Sequence, residues 1–366
     1  MINIGFVGDV FPGGCWALKD GLSNEILNFF CEFDLRVANL ETAFGDGKVQ
    51  CHVKMSNPKL GNTLFAPDHC IEILKKLNIN VVSLANNHAC DCDLQGLAHT
   101  IELLDSEGIK HFGAGRNKKE AETPAIITIK GVKIGFLGYF PPEWEAPYPP
   151  TDNLGGLNHY YIDKVLSDVK QLKKQCDYVF VMPHWGWEYT TCPRLRDVVD
   201  AKVIIEAGAD GVFGAHTHTV QPIFKYKNGI IATSLGNFIF PDRYLNPPRQ
   251  TYYPKKEEIE DKNIPFTDKF VITDKLTLHG MPQKSRYGLI CSVKIYDEKK
   301  EFNANYTFMT SNNALVFKNL KMIHNLKVWI IKLLISRESN FYYRAFYKMR
   351  YYYHRILDKL KIQHTL

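Results

Sequence analysis

The sequence VVSLANNHACDCD, residues 81–93, joins an apolar run directly to a group of polar side chains. The β-branched and aliphatic residues at 81–84 are typical of a buried strand. The chain continues with Asn86, Asn87 and His88, although asparagine is a poor strand former and glycine is a common residue where a strand turns. The stretch therefore predicts a buried strand whose carboxyl end presents side chains that can bind a ligand.

Other short apolar runs along the first 240 residues also have the composition of strands, and amphipathic stretches lie between them. Strands are predicted at 2–7, 35–39, 80–84, 125–130, 133–139, 178–182, 211–213 and 229–234. Helices are predicted near 68–77, 94–107, 162–174 and 194–207. This alternation of strands and helices predicts an α/β protein.

Five of the predicted strands run into polar side chains at or just beyond their carboxyl ends. These side chains are Asp9, Glu41, Asn87, His88, His184, His216 and His218. Because open α/β sheets bind ligands at the carboxyl ends of their strands, we expect these groups to meet at one edge of one sheet. Imidazole nitrogens and carboxylate oxygens suit Zn, Fe or Mn. The pattern therefore predicts a metal site.

Individual residues of this site have the chemistry for different roles. His216 and His218 are expected to point the same way from an extended segment and to be able to bind neighbouring ions. Glu41 has two carboxylate oxygens and can bridge a pair of metal ions. His88 would remain for acid/base work, with Asp91 holding its ring in one tautomer.

Each of these residues also has an interpretation that needs no metal. A strand-end aspartate such as Asp9 is often a helix or turn cap. His184, which precedes the sequence WGW, can be a core histidine packed among aromatic rings. The pair Asn86 and Asn87 can form an Asx-turn. Their joint occurrence at successive strand ends favours the metal site.

Six motifs occur in order along the chain and together resemble a known family. They are GDV at 8–10, NLE at 39–41, ANNHACD at 85–91, HWGWEY at 184–189, GAHTHTVQ at 214–221 and SLGNFIF at 234–240. The set resembles the CapA-type capsule synthesis proteins, which are linked to poly-γ-glutamate production and belong to the calcineurin-like metallophosphoesterase superfamily. The resemblance covers roughly residues 2–241 and two strands near 288–309.

The resemblance implies a fold and a set of site residues. It implies an αββα sandwich, in which two packed mixed sheets are flanked by helices, and one or two divalent transition metal ions such as Mn, Zn or Fe. It implies a catalytic or phosphate-facing role for His88. The implied metal ligands are Asp9, Glu41, Asn87, His184, His216 and His218. The chain departs from the wider superfamily at Phe11, where a histidine is usual, and at Glu41, where the bridging residue is usually aspartate.

Two functions of different classes follow from the residues and the resemblance. The first is a metal-dependent hydrolase or transferase acting on a capsule or surface polymer, either poly-γ-glutamate or polysaccharide, or on its phosphorylated precursor. The second is a non-catalytic accessory protein that binds the polymer or partner synthesis enzymes. The pair His88 and Asp91 favours the first, because a structural metal needs no acid/base residue. Phe11, in the place of a histidine, favours the second.

The N-terminal sequence and the distribution of the cysteines predict a cytoplasmic location. The sequence MINIGFVGDV lacks the basic and long apolar regions of a signal peptide. Nine cysteines, an odd number, are scattered without the spacing of a disulfide framework. Cys90 and Cys92 have no second Cys pair or Cys/His partner at finger spacing, so they are not expected to form a zinc site.

The charge distribution divides the chain into a body, residues 1–317, and a tail, residues 318–366. The tail has eleven Lys and Arg against two acidic residues, a net charge of +9, and the body has a net charge of −3. Within the body, residues 241–286 are polar and are predicted to form an insertion or lid. The asymmetry in charge indicates that the tail has a function of its own.

Aromatic residues alternate with basic ones in the tail, and three interpretations remain open. This pattern suits the headgroup region of an anionic membrane, which would place the protein peripherally at the inner membrane face. It also suits single-stranded nucleic acid, the least favoured of the three. The third interpretation is a helical hairpin packed on the body. The apolar run 328–335 is too short to span a bilayer.

Overall fold

Two large β-sheets stack face to face and carry helices on both outer faces. The computed structural model describes residues 1–45, 63–142, 149–247, 250–260, 264–269, 274–296, 299–318, 322–336 and 340–349.

The strands are, in chain order, β1 (Ile2–Val10), β2 (Leu35–Leu40), β3 (Ala43–Phe44), β4 (Phe65–Ala66), β5 (Val81–Ser83), β6 (Lys110–Phe112), β7 (Ala114–Gly115), β8 (Ala125–Ile129), β9 (Val132–Tyr139), β10 (Gly156–Leu157) and β11 (Tyr178–Pro183). They continue with β12 (Gly211–Phe213), β13 (Ile223–Tyr226), β14 (Gly229–Ala232), β15 (Asn237–Ile239), β16 (Arg243–Asn246), β17 (Gln250–Tyr252), β18 (Phe266–Thr267), β19 (Thr277–His279), β20 (Tyr287–Tyr296), β21 (Lys299–Met309) and β22 (Leu315–Phe317). The helices are α1 (Asn24–Cys31), α2 (Ile71–Lys76), α3 (Asp93–Ser106), α4 (Lys118–Glu122), α5 (Ile162–Leu172), α6 (Leu195–Glu206), α7 (Lys256–Glu260) and α8 (Met322–Ile335).

The first large sheet has the strand order β22-β21-β20-β1-β2-β5-β6, and β15 also pairs with β1. β1 is parallel to β2 and β15 and antiparallel to β20. The second large sheet has the order β13-β14-β12-β11-β9-β8. Its four inner strands are parallel, and the two edge strands are antiparallel to their neighbours. Both sheets are therefore mixed.

Phenylalanine side chains fill the space between the two sheets. Phe6 on β1 stacks on Phe213 of β12 with ring centroids 3.9 Å apart and meets Phe180 of β11 edge-on at 5.0 Å. All these side chains are buried in one hydrophobic cluster that draws on both sheets. Aromatic pairs in such tilted and stacked arrangements contribute about 0.5–1.5 kcal/mol each beyond the burial of their apolar area. This shared core joins the sheets into a sandwich.

The outer faces of the sandwich have separate cores. α1, α2 and α3 pack on the first sheet, with Phe30 and Ile101 buried in that cluster. α5 and α6 pack on the second sheet, with Val169 and Val198 buried there. The four layers form the αββα sandwich that the resemblance implied, and the α/β prediction is confirmed.

Most element bounds follow directly from the sequence patterns. All nine residues of β1 are buried, because both faces of this strand lie in the sandwich. α3 has the predicted single apolar stripe, with Leu97, Ile101 and Leu104 buried. At α1, the Ser23 hydroxyl accepts a hydrogen bond from Ile26 N at 3.3 Å, which caps the helix.

The prediction that the strand ends meet at one edge of one sheet was wrong. β1, β2 and β5 belong to the first sheet, whereas β11 and β12 belong to the second. The carboxyl ends of strands from both sheets converge at the same side of the sandwich. An alternation of strands and helices does not reveal where the chain crosses from one sheet to the next. The alternation therefore could not tell which strands belong to which sheet.

The polar segment 241–286 contains regular structure of its own. β16, β17, β18 and β19 form a four-stranded sheet in the order β17-β16-β19-β18. Thr251 joins this sheet to the body, since its hydroxyl donates to Thr63 O at 2.5 Å.

The tail packs on the body where the structure describes it. α8 and the helical residues 341–349 follow the body. Ile331, Ile335 and Tyr343 are buried in the core of the second sheet's outer face. Tyr343 OH donates a hydrogen bond to Pro193 O. In the described part of the chain, no helix combines the length and the hydropathy needed to cross a bilayer.

One cysteine differs from the expectation drawn from cysteine spacing. Cys92 is disulfide-bonded, whereas the other described cysteines are free thiols. Disulfides are typical of oxidising compartments, so this bond does not support a cytoplasmic location, which stays a prediction.

Candidate functional site

Two groups of potential metal ligands lie at the carboxyl ends of the strands and share one residue, Glu41. The first group consists of Glu41, His184 and His216, and the second of Asp9, Glu41 and His218. In each group, one ligand atom of every residue lies within 4.8 Å of the others. All five residues are buried. The strands thus bring together two carboxylates and three histidines from widely separated parts of the sequence.

The first group links the two sheets of the sandwich. Glu41 follows β2 of the first sheet, and its Oε1 lies 3.6 Å from Nε2 of His184, which follows β11 of the second. Nε2 of His184 also lies 3.1 Å from Nδ1 of His216. The three ligand atoms therefore surround one small volume, as ligands of one ion do.

The second group shares Oε1 of Glu41 with the first. Nδ1 of His218 is 3.4 Å from Oδ2 of Asp9, and Nε2 of His218 is 3.8 Å from Oε1 of Glu41. Asp9 lies in β1 and also accepts hydrogen bonds from His216 N at 3.3 Å. The arrangement offers two adjacent ion positions with the Glu41 carboxylate between them.

The Glu41 carboxylate shows that these residues fit metal ions. Both of its oxygens are fully buried, and neither accepts a hydrogen bond from any described residue. Burial and the nearby Asp9 carboxylate raise the pKa of Glu41 well above its usual value. A buried carboxylate without hydrogen bonds is costly, and a cation between the two groups would compensate both acidic residues.

The histidines differ in their electrostatic surroundings. Burial and neighbouring histidines lower the pKa of His184 and His216 well below the usual value, so both rings are neutral, as metal ligands must be. Burial also disfavours the charged form of His218, but Glu41 and Asp9 outweigh it and raise its pKa to about 10. Glu41 and Asp9 thus favour the charged form of His218, in contrast to His184 and His216.

The segment that carries His216 and His218 is not extended, contrary to the prediction. His216 has φ 89° and His218 has φ 51°, in the left-handed region that L-residues rarely occupy. His216 belongs to the first ligand group and His218 to the second, which is compatible with the expectation that they bind neighbouring ions. Strained backbone of this kind is common at functional sites, where the surrounding contacts hold it in place.

The two asparagines of the opening stretch have different roles. Asn86 Oδ1 accepts a hydrogen bond from His88 N at 3.1 Å, which is an Asx-turn, so the local interpretation holds for Asn86. Asn87 Oδ1 lies 2.8 Å from Nε2 of His184. Asn87 therefore lies beside the first ligand group, and its role as a metal ligand stays a prediction.

His88 and Asp91 form a close pair at the edge of this centre. Nδ1 of His88 lies 2.5 Å from Oδ2 of Asp91, and this oxygen also accepts from Leu64 N at 2.6 Å. Nε2 of His88 lies 3.9 Å from Oε1 of Glu41. The ring thus has one nitrogen on its carboxylate partner and the other on the side of the metal ligands.

Two further asparagines support the site and were not among the predicted residues. Asn39 Nδ2 donates to Asp9 Oδ1 at 2.9 Å and lies 3.3 Å from Nδ1 of His184. Asn237 Oδ1 lies 2.9 Å from Nδ1 of His218. Hydrogen bonds of this kind orient ligands. Both residues lie in the motifs NLE and SLGNFIF, Asn39 within β2 and Asn237 at the start of β15.

Aromatic rings surround His218. Phe240 meets its ring edge-on at 5.0 Å, and Tyr189 stacks on it at 5.7 Å. Phe11 packs against Phe240 with centroids 5.5 Å apart and is fully buried. Phe11 therefore belongs to an apolar cluster beside His218.

Comparison with known proteins identifies relatives of this chain. It is 34% identical over 180 residues to the capsule biosynthesis protein CapA of Bacillus anthracis, covering 48% of this chain and 44% of the relative. It is 32% identical over 171 residues to the PGA biosynthesis protein CapA of Bacillus subtilis, covering 46% and 45%. A probable polyglutamine synthesis accessory protein of Mycobacterium tuberculosis is 30% identical over 227 residues, covering 56% and 55%. The chain spans about half the length of these relatives.

Solved structures show only distant likeness. A hypothetical protein from Thermus thermophilus has 11% identity and a TM-score of 0.46, covering 87% of this chain and all of that chain. The NAD nucleotidase of Haemophilus influenzae has 13% identity and a TM-score of 0.42, covering 92% of this chain and 56% of that chain. Neither likeness is strong enough to carry an inference about function.

The family match includes every residue of the candidate site. The family described as bacterial capsule synthesis protein PGA_cap matches residues 3–242, which is more than half of the chain and extends from β1 to the end of the motif SLGNFIF. The chain therefore belongs to the PGA_cap family of bacterial capsule synthesis proteins.

Proposed function

We propose that this protein is a metal-dependent hydrolase or transferase acting on a capsule or surface polymer, poly-γ-glutamate or polysaccharide, or on its phosphorylated precursor. The observation that carries the proposal is the Glu41 carboxylate, which is buried, accepts no hydrogen bond from a described residue and belongs to two ligand groups at once. A bridging carboxylate between two cation positions is typical of sites that activate water and stabilise an oxyanion.

Six residues would hold one or two divalent ions, with Mn, Zn and Fe the candidates. They are Asp9, Glu41, Asn87, His184, His216 and His218. When bound, such ions act as Lewis acids and lower the pKa of water. Asn39 and Asn237 would orient Asp9 and His218 through the hydrogen bonds described above.

His88 and Asp91 would supply the acid/base chemistry. The Asp91 carboxylate accepts from Nδ1 of His88, which leaves Nε2 to take or give a proton on the side of Glu41. The short His88–Asp91 contact and the second hydrogen bond from Leu64 N hold the imidazole ring in one orientation. A purely structural metal site needs no acid/base pair of this kind.

The alternative is a non-catalytic accessory protein that binds polymer or capsule synthesis enzymes. Phe11 favours it, because a fully buried phenylalanine occupies a position where the wider superfamily has a histidine. The Mycobacterium tuberculosis relative is itself named an accessory protein. In this case the ions would serve only to join the two sheets.

The two functions are separated by assaying the purified full chain after loading with Mn, Zn or Fe. Metal content is measured by elemental analysis, and hydrolysis is measured on a phosphomonoester, a phosphodiester and poly-γ-glutamate. The proposal expects bound metal and turnover of at least one substrate that His88→Ala removes. Stoichiometric metal without turnover of any of them supports the accessory function. Absence of bound metal after loading rejects both.

We further propose that residues 318–366 bring the protein to an anionic membrane surface, at the inner membrane face. The outer side of the tail helices supports this proposal. Trp329, Leu333, Phe341 and Tyr342 are exposed, and the tail has a net charge of +9. Apolar and aromatic groups beside basic ones suit a lipid headgroup region. Single-stranded nucleic acid is the less favoured partner.

The described part of the tail limits which of its side chains could contact a membrane. Tyr343, one of the tail tyrosines that could anchor the protein at a membrane surface, is buried against the body and is not available to a membrane. Tyr347 stacks on Trp187 of the body at 6.5 Å. The tyrosines at 351–353 lie outside the described residues. The tail can thus pack on the body through one side of its helices and contact a membrane through the other side.

A further inference from the structure

Arg243 has a buried guanidinium group beside the candidate metal centre. It is the first residue of β16, in the segment predicted to be a lid, and only 2% of its surface is exposed. Its Nε and Nη1 atoms are fully buried and donate no hydrogen bond to any described residue. A buried charge without a partner is costly, so proteins retain one chiefly where a partner is supplied from elsewhere.

The surroundings of Arg243 indicate where such a partner would bind. Its Cζ lies 5.6 Å from the ring centroid of Phe240, and the same ring meets His218 at 5.0 Å. One aromatic ring therefore separates the guanidinium from a candidate metal ligand. Burial lowers the pKa of Arg243 to about 10, and nearby Tyr189, Asp242 and Glu41 act in the opposite direction. The guanidinium stays positive near neutral pH and lies close enough to Glu41 to interact with it electrostatically.

Among the described contacts, no hydrogen bond joins the neighbouring Asp242 carboxylate to Arg243, although its charge favours the protonated form of Arg243. Asp242 Oδ1 accepts a hydrogen bond from Nη2 of Arg286 at 2.8 Å. Arg286 also donates from Nε to Met281 O and from Nη1 to Thr310 O. The two buried arginines of this segment thus differ: Arg286 is satisfied by the protein, and Arg243 presents donors without a described acceptor.

We propose that Arg243 binds an anionic group of the substrate, a carboxylate or a phosphate, next to the group that lies at the metal centre. A guanidinium forms strong charge-assisted hydrogen bonds with both groups. A γ-linked glutamate polymer has one free carboxylate on every residue, and a phosphorylated precursor has its phosphate. This inference rests on one part of the proposed function, that the substrate binds at this centre. Binding can be measured whether or not the protein turns the substrate over.

The test is isothermal titration of the metal-loaded full chain with two probes, inorganic phosphate and a γ-linked glutamate oligomer. Wild type, Arg243→Gln, Arg243→Lys and Arg286→Gln are compared, together with their thermal unfolding midpoints without probe. Arg243→Gln is expected to weaken binding of at least one probe tenfold or more, and Arg243→Lys less. Arg243→Gln should not lower the unfolding midpoint, whereas Arg286→Gln should. The probe that responds identifies the carboxylate or the phosphate as the group bound.

The proposal is overturned if Arg243→Gln binds both probes as wild type does, or if wild type binds neither. It is also overturned if Arg243→Gln lowers the unfolding midpoint as Arg286→Gln does and leaves affinity unchanged, because Arg243 would then be structural. Turnover is recorded in parallel. Binding that depends on Arg243 in a protein without turnover rejects the proposed catalysis and supports the anion site.

Discussion

Nδ1 of His88 lies 2.5 Å from Oδ2 of Asp91, and the same oxygen accepts a hydrogen bond from Leu64 N. A carboxylate in this position keeps the proton of the neutral ring on Nδ1 and leaves the Nε2 lone pair towards Glu41, 3.9 Å away. This orientation is the one that the proposed acid/base role of His88 requires.

Substitution of His88 should separate turnover from metal binding. His88→Ala is expected to lower turnover about 10²–10⁴-fold, the usual effect of losing a general acid or base, with metal content near wild type. His216→Ala should lose metal, because His216 lies within the first ligand group. Elemental analysis and rate measurements on both variants check this. Equal loss of metal in the two variants would show that His88 is a ligand.

Glu41 should control both ion positions. Because both ligand groups include its carboxylate, Glu41→Gln is expected to lose all bound metal, whereas His218→Ala should lose one ion of two. Glu25→Gln is a control, since Glu25 is an exposed glutamate on α1 that lies outside both ligand groups. Metal stoichiometry by elemental analysis decides the outcome. Retention of one ion in Glu41→Gln would rule out a shared ligand.

The sequence predicted the strands well because the central strands are buried on both faces. Such strands appear as continuous β-branched and aromatic runs, as in Ile2–Val10 and Tyr178–Pro183. Their assignment to two sheets was not predicted, because it depends on contacts between residues far apart in sequence, such as Phe6 with Phe213. The six predicted metal ligands nevertheless converge, because the carboxyl ends of both sets of strands face the same side.

Other features of the site have weak signals in a sequence. Asn39 lies within a strand, where its side chain resembles any polar residue facing solvent. Arg243 lies in a polar segment, where an arginine is normally exposed, and only the packing of the small sheet buries it. The left-handed backbone at His216 and His218 has no sequence signal, since neither residue is glycine.

Gly8 should be sensitive to the smallest substitution. A Cβ atom at this position would lie 1.9 Å from the carbonyl oxygen of Gly236, which accepts a hydrogen bond from Asp9 N. Gly8→Ala is expected to lower the free energy of unfolding by about 3 kcal/mol, as overpacking of a core does. At Gly108, φ is +69° but no atom lies within 4 Å of the added Cβ, so Gly108→Ala should cost about 1 kcal/mol. Urea unfolding of both variants measures the difference, and equal losses would contradict the close contact.

Lys202 should give the protein a specific pH dependence. Its Nζ donates to Asn340 Oδ1 at 2.7 Å in the tail, and burial lowers its pKa to about 8 although Glu206 acts to raise it. Between about pH 8 and its ordinary value of 10.5, the unfolded chain keeps this proton and the folded chain releases it, so stability rises with pH.

This effect of Lys202 is measured against Lys202→Met by urea unfolding between about pH 6 and pH 10.5. The free energy of unfolding of wild type minus that of the variant should be constant below about pH 7 and should rise above about pH 8. Groups other than Lys202 titrate in both proteins and cancel in this difference. Parallel stability curves would mean that Lys202 has an ordinary pKa in the folded protein.

The last prediction concerns the outer side of the tail. Trp329 and Leu333 are 57% and 44% exposed on α8, whereas Ile331 and Ile335 of the same helix are buried against the body. Removal of the whole tail would uncover this core, so surface variants of the full chain are the better test. An anionic leaflet attracts a basic segment by about 1 kcal/mol per Lys or Arg near the surface, and salt screens this attraction.

Co-sedimentation with vesicles then separates the three interpretations of the tail. Wild type is expected to bind phosphatidylserine vesicles at low salt, to bind neutral phosphatidylcholine vesicles weakly, and to dissociate at high salt. The double variant Trp329→Ser, Leu333→Ser should bind anionic vesicles less. The control Ile126→Ser, Leu154→Ser, which alters two apolar residues of similar exposure on the body, should bind as wild type does. If wild type does not bind at low salt, or both double variants bind equally, the tail is a packed structural hairpin. Preferential binding of a single-stranded oligonucleotide would instead make nucleic acid its partner.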